Sequence, residues 1–240
     1  MTVSNAPELW VSAFPQPAKD AHKYARGHLA VCGAPALTGA TRLAASAASR
    51  IGAGLVSVLS HDQVDIYRAS LPPDIMVTSG PATVLNRITA CLLGPGGYEP
   101  SRIPEVLALG SDVPKILDAD ALHLWDQVPN AALLTPHEGE FARTFPNASG
   151  SRADRAVAAA RQTKAVIILK GPDTVIAEPN GEVVVNTHAT PWLAKAGTGD
   201  VLAGFAAGLI AQGMPVFQAA CAAVWIHGEA GSRIGPGLVA

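Results

Sequence analysis

The stretch Leu29-Ala30-Val31-Cys32, the alanine-rich run from Gly39 to Gly52, and Leu55-Val56-Ser57-Val58-Leu59 read in that order as strand, helix and strand. The two outer runs are short and almost wholly apolar, the pattern of strands covered on both faces. Alanine between them is the best helix former. The same alternation continues outward through Cys91–Leu93, Lys115–Leu117, Ala131–Leu134 and Ala165–Leu169. It predicts an α/β fold: a mostly parallel central sheet with helices on both faces, joined by right-handed crossovers. Thr174–Ala177 and Val183–Asn186 differ, because they flank Glu178-Pro179-Asn180-Gly181. Asn-Gly favours a hairpin, so an antiparallel edge is expected to close the sheet. Two alanine-rich helices, Asp200–Gln212 and Pro215–Ala230, follow. Residues 1–25 are mixed and contain proline, and read as an arm; residues 26–240 read as one domain.

Composition narrows the function classes. Of 240 residues, 49% are hydrophobic, enough for a sizeable core, and 15% are charged with a net charge of −2. That balance argues against a nucleic-acid surface or a polybasic membrane patch. No apolar run reaches the roughly 18 residues of a membrane span, and the N-terminus lacks the basic start and apolar stretch of a signal peptide. Cys32, Cys91 and Cys221 lie apart in apolar segments, which fits buried free thiols rather than a disulfide or zinc framework. A cytoplasmic protein is expected.

Chemistry-bearing residues gather just after the strands, where open α/β sheets bind ligands. Ala196-Gly197-Thr198-Gly199-Asp200-Val201-Leu202-Ala203-Gly204 is a glycine-rich turn running into a helix. Free amides and the helix dipole there can hold phosphate oxygens. Asp200 is either a base for a substrate hydroxyl or a plain helix cap. Asp118 and Asp120 end the strand Lys115–Leu117; they can meet Mg²⁺, and one of them is expected to cap the next helix. Thr135-Pro136-His137 and Lys170-Gly171 end two more strands, Lys170 being either a phosphate contact or a surface lysine. Gly94-Pro95-Gly96-Gly97 and Gly33–Ala40 are loops that admit close approach of a ligand. Neither a Walker loop nor the usual dinucleotide fingerprint is present.

The ordered set Gly39-Ala40, Gly94-Pro95-Gly96, Leu117-Asp118-Ala119-Asp120-Ala121-Leu122, Leu134-Thr135-Pro136-His137-x-Gly139-Glu140, Lys170-Gly171 and Gly197-Thr198-Gly199-Asp200-Val201-Leu202-Ala203-Gly204, with His22-Lys23 near the start, resembles the ADP/ATP-dependent NAD(P)H-hydrate dehydratases. The resemblance implies a ribokinase-like fold. It implies repair of the S-epimer of hydrated NADH or NADPH (NADHX or NADPHX), with ADP or ATP as co-substrate and Mg²⁺ as cofactor. Carried over residue by residue, Ala40, Gly96 or Gly97, His137 and Asp200 would contact the hydrate. Lys170, Gly171, Pro172, Asp173, Thr174, Gly197, Thr198 and Gly199 would hold the nucleotide, and Asp200 would be the catalytic base. Asp118 and Asp120 are candidates to reach the metal through water. Many members have Gly-Pro-Gly-Leu-Gly where this chain has Gly94-Pro95-Gly96-Gly97-Tyr98. A homo-oligomer, tetramer or larger, and a separate epimerase as functional partner are also implied.

Two other readings compete. A small-molecule kinase of the same fold would keep Asp200 but lack Thr135-Pro136-His137, and would release a phosphorylated product instead of free phosphate. A silent adenylate-binding module would have no need of the acid at position 200.

Overall fold

The computed structural model describes residues 2–80, 85 and 87–240. Its strands are β1 (Val3–Ser4), β2 (His28–Cys32), β3 (Leu55–Leu59), β4 (Ile75–Thr78), β5 (Ala90–Leu93), β6 (Lys115–Leu117), β7 (Ala131–Leu134), β8 (Val166–Leu169), β9 (Thr174–Ala177) and β10 (Val183–Asn186). They form one sheet in the order β1-β10-β9-β8-β7-β6-β5-β2-β3-β4. From β4 through β8 every neighbouring pair is parallel; β9 turns antiparallel to β8, and β10 to β9.

The helices are α1 (Thr38–Arg50), α2 (Val64–Ser70), α3 (Ile103–Leu107), α4 (Glu138–Thr144), α5 (Arg152–Thr163), α6 (Thr198–Ala211) and α7 (Val216–Ile234). The pleat distributes successive strand residues between two cores. Leu29, Val31, Leu92, Ile116, Leu133 and Ile168 pack with α1, α2, α6 and α7. Ala30, Cys32, Cys91, Leu93, Leu117, Leu134 and Ile167 pack with α3, α4 and α5. That double cover is why the strands carry no polar alternation.

The expected hairpin is present, with Val183 opposite Ala177 and Gly181 at φ 99° in its turn. It does not end the sheet, however. Val3–Ser4 adds a parallel strand outside β10, pairing with Val184 and Val185. Asn5 anchors that addition: its buried amide donates to Asn186 Oδ1 at 2.9 Å and to the Cys221 carbonyl at 2.8 Å. The alanine and glycine face of α6 lies on α1. A Cβ on Gly204 would overlap the Ala44 carbonyl, and one on Gly208 would stand 2.9 Å from that of Ala48. The small residues thus serve close helix packing. Among the described residues no helix is long and apolar enough to cross a membrane.

Candidate active site

The parallel strands deliver their polar ends to one edge of the sheet. β6 ends at Asp118, β7 at Thr135-Pro136-His137, and β8 at Lys170. Lys170 N–H donates to the Pro136 carbonyl at 2.8 Å, which carries the ladder one residue beyond β8. The Asp118 side chain is buried, and its Oδ1 accepts from Thr135 Oγ1 at 2.6 Å and from Lys170 Nζ at 3.0 Å. Glu140 Oε2 lies 3.8 Å from the same ammonium. Three adjacent strands are therefore bound by one carboxylate oxygen. Lys170 is not a surface lysine, since its side chain is only 18% exposed. Burial alone would lower its pKa. Asp118, Glu140 and Asp200 outweigh that and hold it above the usual lysine value.

Neither acid after β6 caps the following turn. Asp118 has the N-cap position of the turn Ala119–Leu124, yet its side chain makes no capping bond because Thr135 and Lys170 occupy it. Asp120 is exposed and faces Gly97: a Cβ there would lie 3.6 Å from Asp120 Oδ2. Among the described residues no group of three or more His, Cys, Asp or Glu is arranged to hold a metal ion. A Mg²⁺ at this edge would take most of its ligands from phosphates and water, as that ion commonly does.

His137 caps α4. Its Nδ1 accepts from the Gly139 and Glu140 amides at 3.0 and 3.3 Å, while the Glu140 carboxylate accepts the His137 N–H at 2.7 Å. The accepting Nδ1 leaves the neutral ring's proton on Nε2, and the ring remains exposed. The sequence carried a signal for this role, Glu three residues after the cap, the spacing of a capping box.

Gly197 is the N-cap of α6, with φ 95°, so Asp200 is the third residue of the helix and not its cap. Gly199 comes close to Lys170: a Cβ on it would lie 3.4 Å from Nζ. The first-turn amides of α6 have no acceptor within the helix. Burial, then the Asp118 charge, raise Asp200 to about 6, with Lys170 pulling the other way. A carboxyl group so placed is charged at neutral pH yet basic enough to take a proton.

A cleft of about 670 Å³ opens beside this group. Its lining combines His137, Lys170, Gly171, Thr198 and Gly199 with the apolar Pro191, Leu193, Leu202 and Val224. Pro172 and Thr174 also line it, whereas Asp173 is exposed outside. Thr174 Oγ1 closes the turn by accepting from Gly171 N–H at 3.3 Å and donating to the Gly171 carbonyl at 2.9 Å. His227, which sequence reasoning passed over inside an apolar helix, also faces the cleft. Burial lowers its pKa to about 4, and the imidazole is neutral.

Ala40, Gly96 and Gly97 form a second group outside that cleft. A Cβ on Gly96 would touch Ala40 Cβ at 3.0 Å. Thr41 fastens α1 to the loop by donating to the Pro95 carbonyl at 3.0 Å and accepting from Ala34 N–H at 3.0 Å. Gly94 packs on the Asp118 carbonyl, which sets this group beside the first.

Comparison with known proteins agrees with this architecture. An ADP-dependent (S)-NAD(P)H-hydrate dehydratase of Neisseria meningitidis is 37% identical over 90% of this chain and 80% of its own. A ribokinase-like superfamily protein of Enterococcus faecalis superposes with a TM-score of 0.82 at 26% identity, over 97% of this chain and 88% of that one. An ADP/ATP-dependent NAD(P)H-hydrate dehydratase of Bacillus subtilis, co-crystallised with ATP/Mg²⁺, gives 0.77 at 28% identity, over 97% of this chain and 89% of that one. The chain spans about half the length of the bifunctional NAD(P)H-hydrate repair enzymes it also matches. The sheet is ribokinase-like, and with the family model for NAD(P)H-hydrate dehydratase matching residues 28–236, the chain belongs to that family.

Proposed function

We propose that the protein restores NADH and NADPH from the S-epimers of their hydrates, using ADP or ATP as phosphoryl donor. The observation that carries this reading is Asp200: an acid raised to about 6, on the first turn of α6, next to Gly199 and in the field of Lys170, both of which line the cleft.

The chemical problem is a poor leaving group. Hydroxide leaves a ring carbon badly, and phosphate leaves well. The ring hydroxyl oxygen attacks the terminal phosphorus while Asp200 takes its proton, forming a phosphate ester and releasing AMP or ADP. The ester's carbon–oxygen bond then breaks, the phosphate departs with the bonding pair, and loss of a proton from the ring restores the double bond. Lys170 offers positive charge to the transferred group, and the amides at Gly197 and Gly199 offer donors to the phosphates, with Thr198 bordering them between. The turn from Gly171 through Pro172 and Asp173 to Thr174 borders the nucleotide. Ala40, Gly96, Gly97 and His137 border the hydrate. Mg²⁺ would supply charge neutralisation at the phosphates, and Asp118 and Asp120 would be the residues to reach it through water.

Residues 26–240 form the catalytic domain in this reading, and the segment before it is built into the same body, through the pairing of Val3–Ser4 with β10 and the burial of Trp10 in the core. A site for one epimer leaves the other unrepaired, so an epimerase is the functional partner. The free, buried Cys32, Cys91 and Cys221 suit a reducing cytoplasm. Assembly as a tetramer or larger homo-oligomer belongs to the same proposal.

The test is the absorbance of reduced nicotinamide in a mixture of protein, hydrated NADH, Mg²⁺ and either nucleotide. A nucleotide-dependent rise with matching phosphate release is expected. No rise from folded protein overturns the reading and favours a kinase of the same fold, which would yield a stable phosphorylated alcohol.

A further inference from the structure

Arg152 opens α5, away from every group named above, yet its guanidinium reaches the end of β8. Nη2 donates to the Leu169 carbonyl at 3.0 Å and to the Lys170 carbonyl at 3.2 Å. Nη1 pairs with Glu138, the residue after the capping His137. Arg155 holds the other side of that acid, donating to both Glu138 oxygens at 3.0 Å. The start of α4, the start of α5 and the exit of β8 are thus tied by one acid and two guanidinium groups. Gly171 completes the arrangement: a Cβ there would stand 2.5 Å from Arg152 Nη2. The residue after Lys170 has to be small for Arg152 to reach the two carbonyls.

We propose that Arg152 is a positioning residue of the nucleotide site, holding the Lys170–Gly171 backbone so that the Lys170 ammonium stands between Asp118 and the head of α6. The inference rests on reading the cleft as an adenine-nucleotide site. Arg152 spends two donors on the carbonyls at the end of β8. It also fixes the point from which the Lys170 side chain starts. Lysine in its place keeps the charge but gives up the planar fork, whose Nη2 takes both carbonyls while Nη1 takes Glu138.

The experiment is a double-mutant cycle on ADP and Mg²⁺ binding, read by calorimetry on the whole chain without turnover. Arg152→Ala is expected to weaken binding about tenfold, the scale of one hydrogen bond to a charged group. Gly171→Ala is expected to do the same by displacing the guanidinium. The double variant should bind no worse than the weaker single, because both changes break one contact. Arg152→Lys should recover part of the loss. In steady state, Arg152→Ala should raise KM for the nucleotide and leave KM for the hydrate alone. Wild-type affinity in Arg152→Ala, or losses that multiply in the double variant, would overturn the proposal. If Arg152→Ala does not fold, Arg152→Met takes its place in the cycle under the same criteria. A protein that binds ADP as described but dehydrates nothing would refute the dehydratase reading and leave this one standing.

Discussion

Lys170 Nζ stands 3.0 Å from Asp118 Oδ1 across 52 residues of sequence, and the same oxygen accepts from Thr135. The pair sets both the stability of the sheet's functional edge and the charge that Asp200 experiences.

Lys170→Met should destabilise the fold. Asp118 would keep Thr135 but lose its cation while its side chain stays 3% exposed, and breaking a buried pair costs about 3 kcal/mol. The urea midpoint should drop, and adding Asp118→Asn should recover most of the loss. An unchanged midpoint in the single variant would show that solvent already carries this charge.

Asp200→Asn should lower kcat about a thousandfold, within the range of a lost general base. ADP binding and the circular dichroism spectrum should persist. Near-normal turnover would remove Asp200 from the mechanism.

The pH dependence follows from the raised Asp200 value of about 6, against 3.8 for an ordinary aspartate. The base is active when deprotonated, so kcat/KM should fall as pH drops through about 6. Stability moves the other way. The folded state binds this proton more tightly than the unfolded chain, so the charged form costs stability above the folded value, and the cost is relieved as pH falls. Asp200→Asn should therefore melt higher than wild type at neutral pH, with the gap closing below about 6. A gap that widens on acidification would contradict the burial on which the argument depends.

Gly204→Ala separates two opposed effects. In an exposed helix interior the change gains about 1 kcal/mol of propensity. Here the added Cβ would overlap the Ala44 carbonyl of α1, and overpacking costs about 1–3 kcal/mol. Because the obstacle is backbone, the clash should win and the melting temperature should fall. A rise would mean that α1 and α6 separate easily.

Most of the sheet was legible because its strands are apolar throughout and each is followed by a polar turn. Two strands were not. Val3–Ser4 is too short for any periodic signal and exists through pairing with Val184 and Val185, far along the chain. Ile75–Thr78 is an edge strand with Met76 exposed, so its pattern resembles a loop. The candidate site was legible as a set of strand ends, but not in its internal bonding. Asp118 or Asp120 read as a cap because Asp before a helix commonly is one; that Lys170 claims Asp118 is a matter of strand order. Arg152 and His227 carried only weak marks, Arg152 beside the capping Ser151 and His227 just after the apolar run of a long helix.

The joining of β6, β7 and β8 through a single carboxylate oxygen has a consequence for evolvability. The charged centre belongs to the sheet, while residues 95–97 and 172–173, in the turns around it, are separate pieces of chain. Changes in those turns can retune which molecules are admitted without rebuilding the reactive core. An engineer seeking a new acceptor alcohol would randomise the loops and leave Asp118, Thr135 and Lys170 untouched.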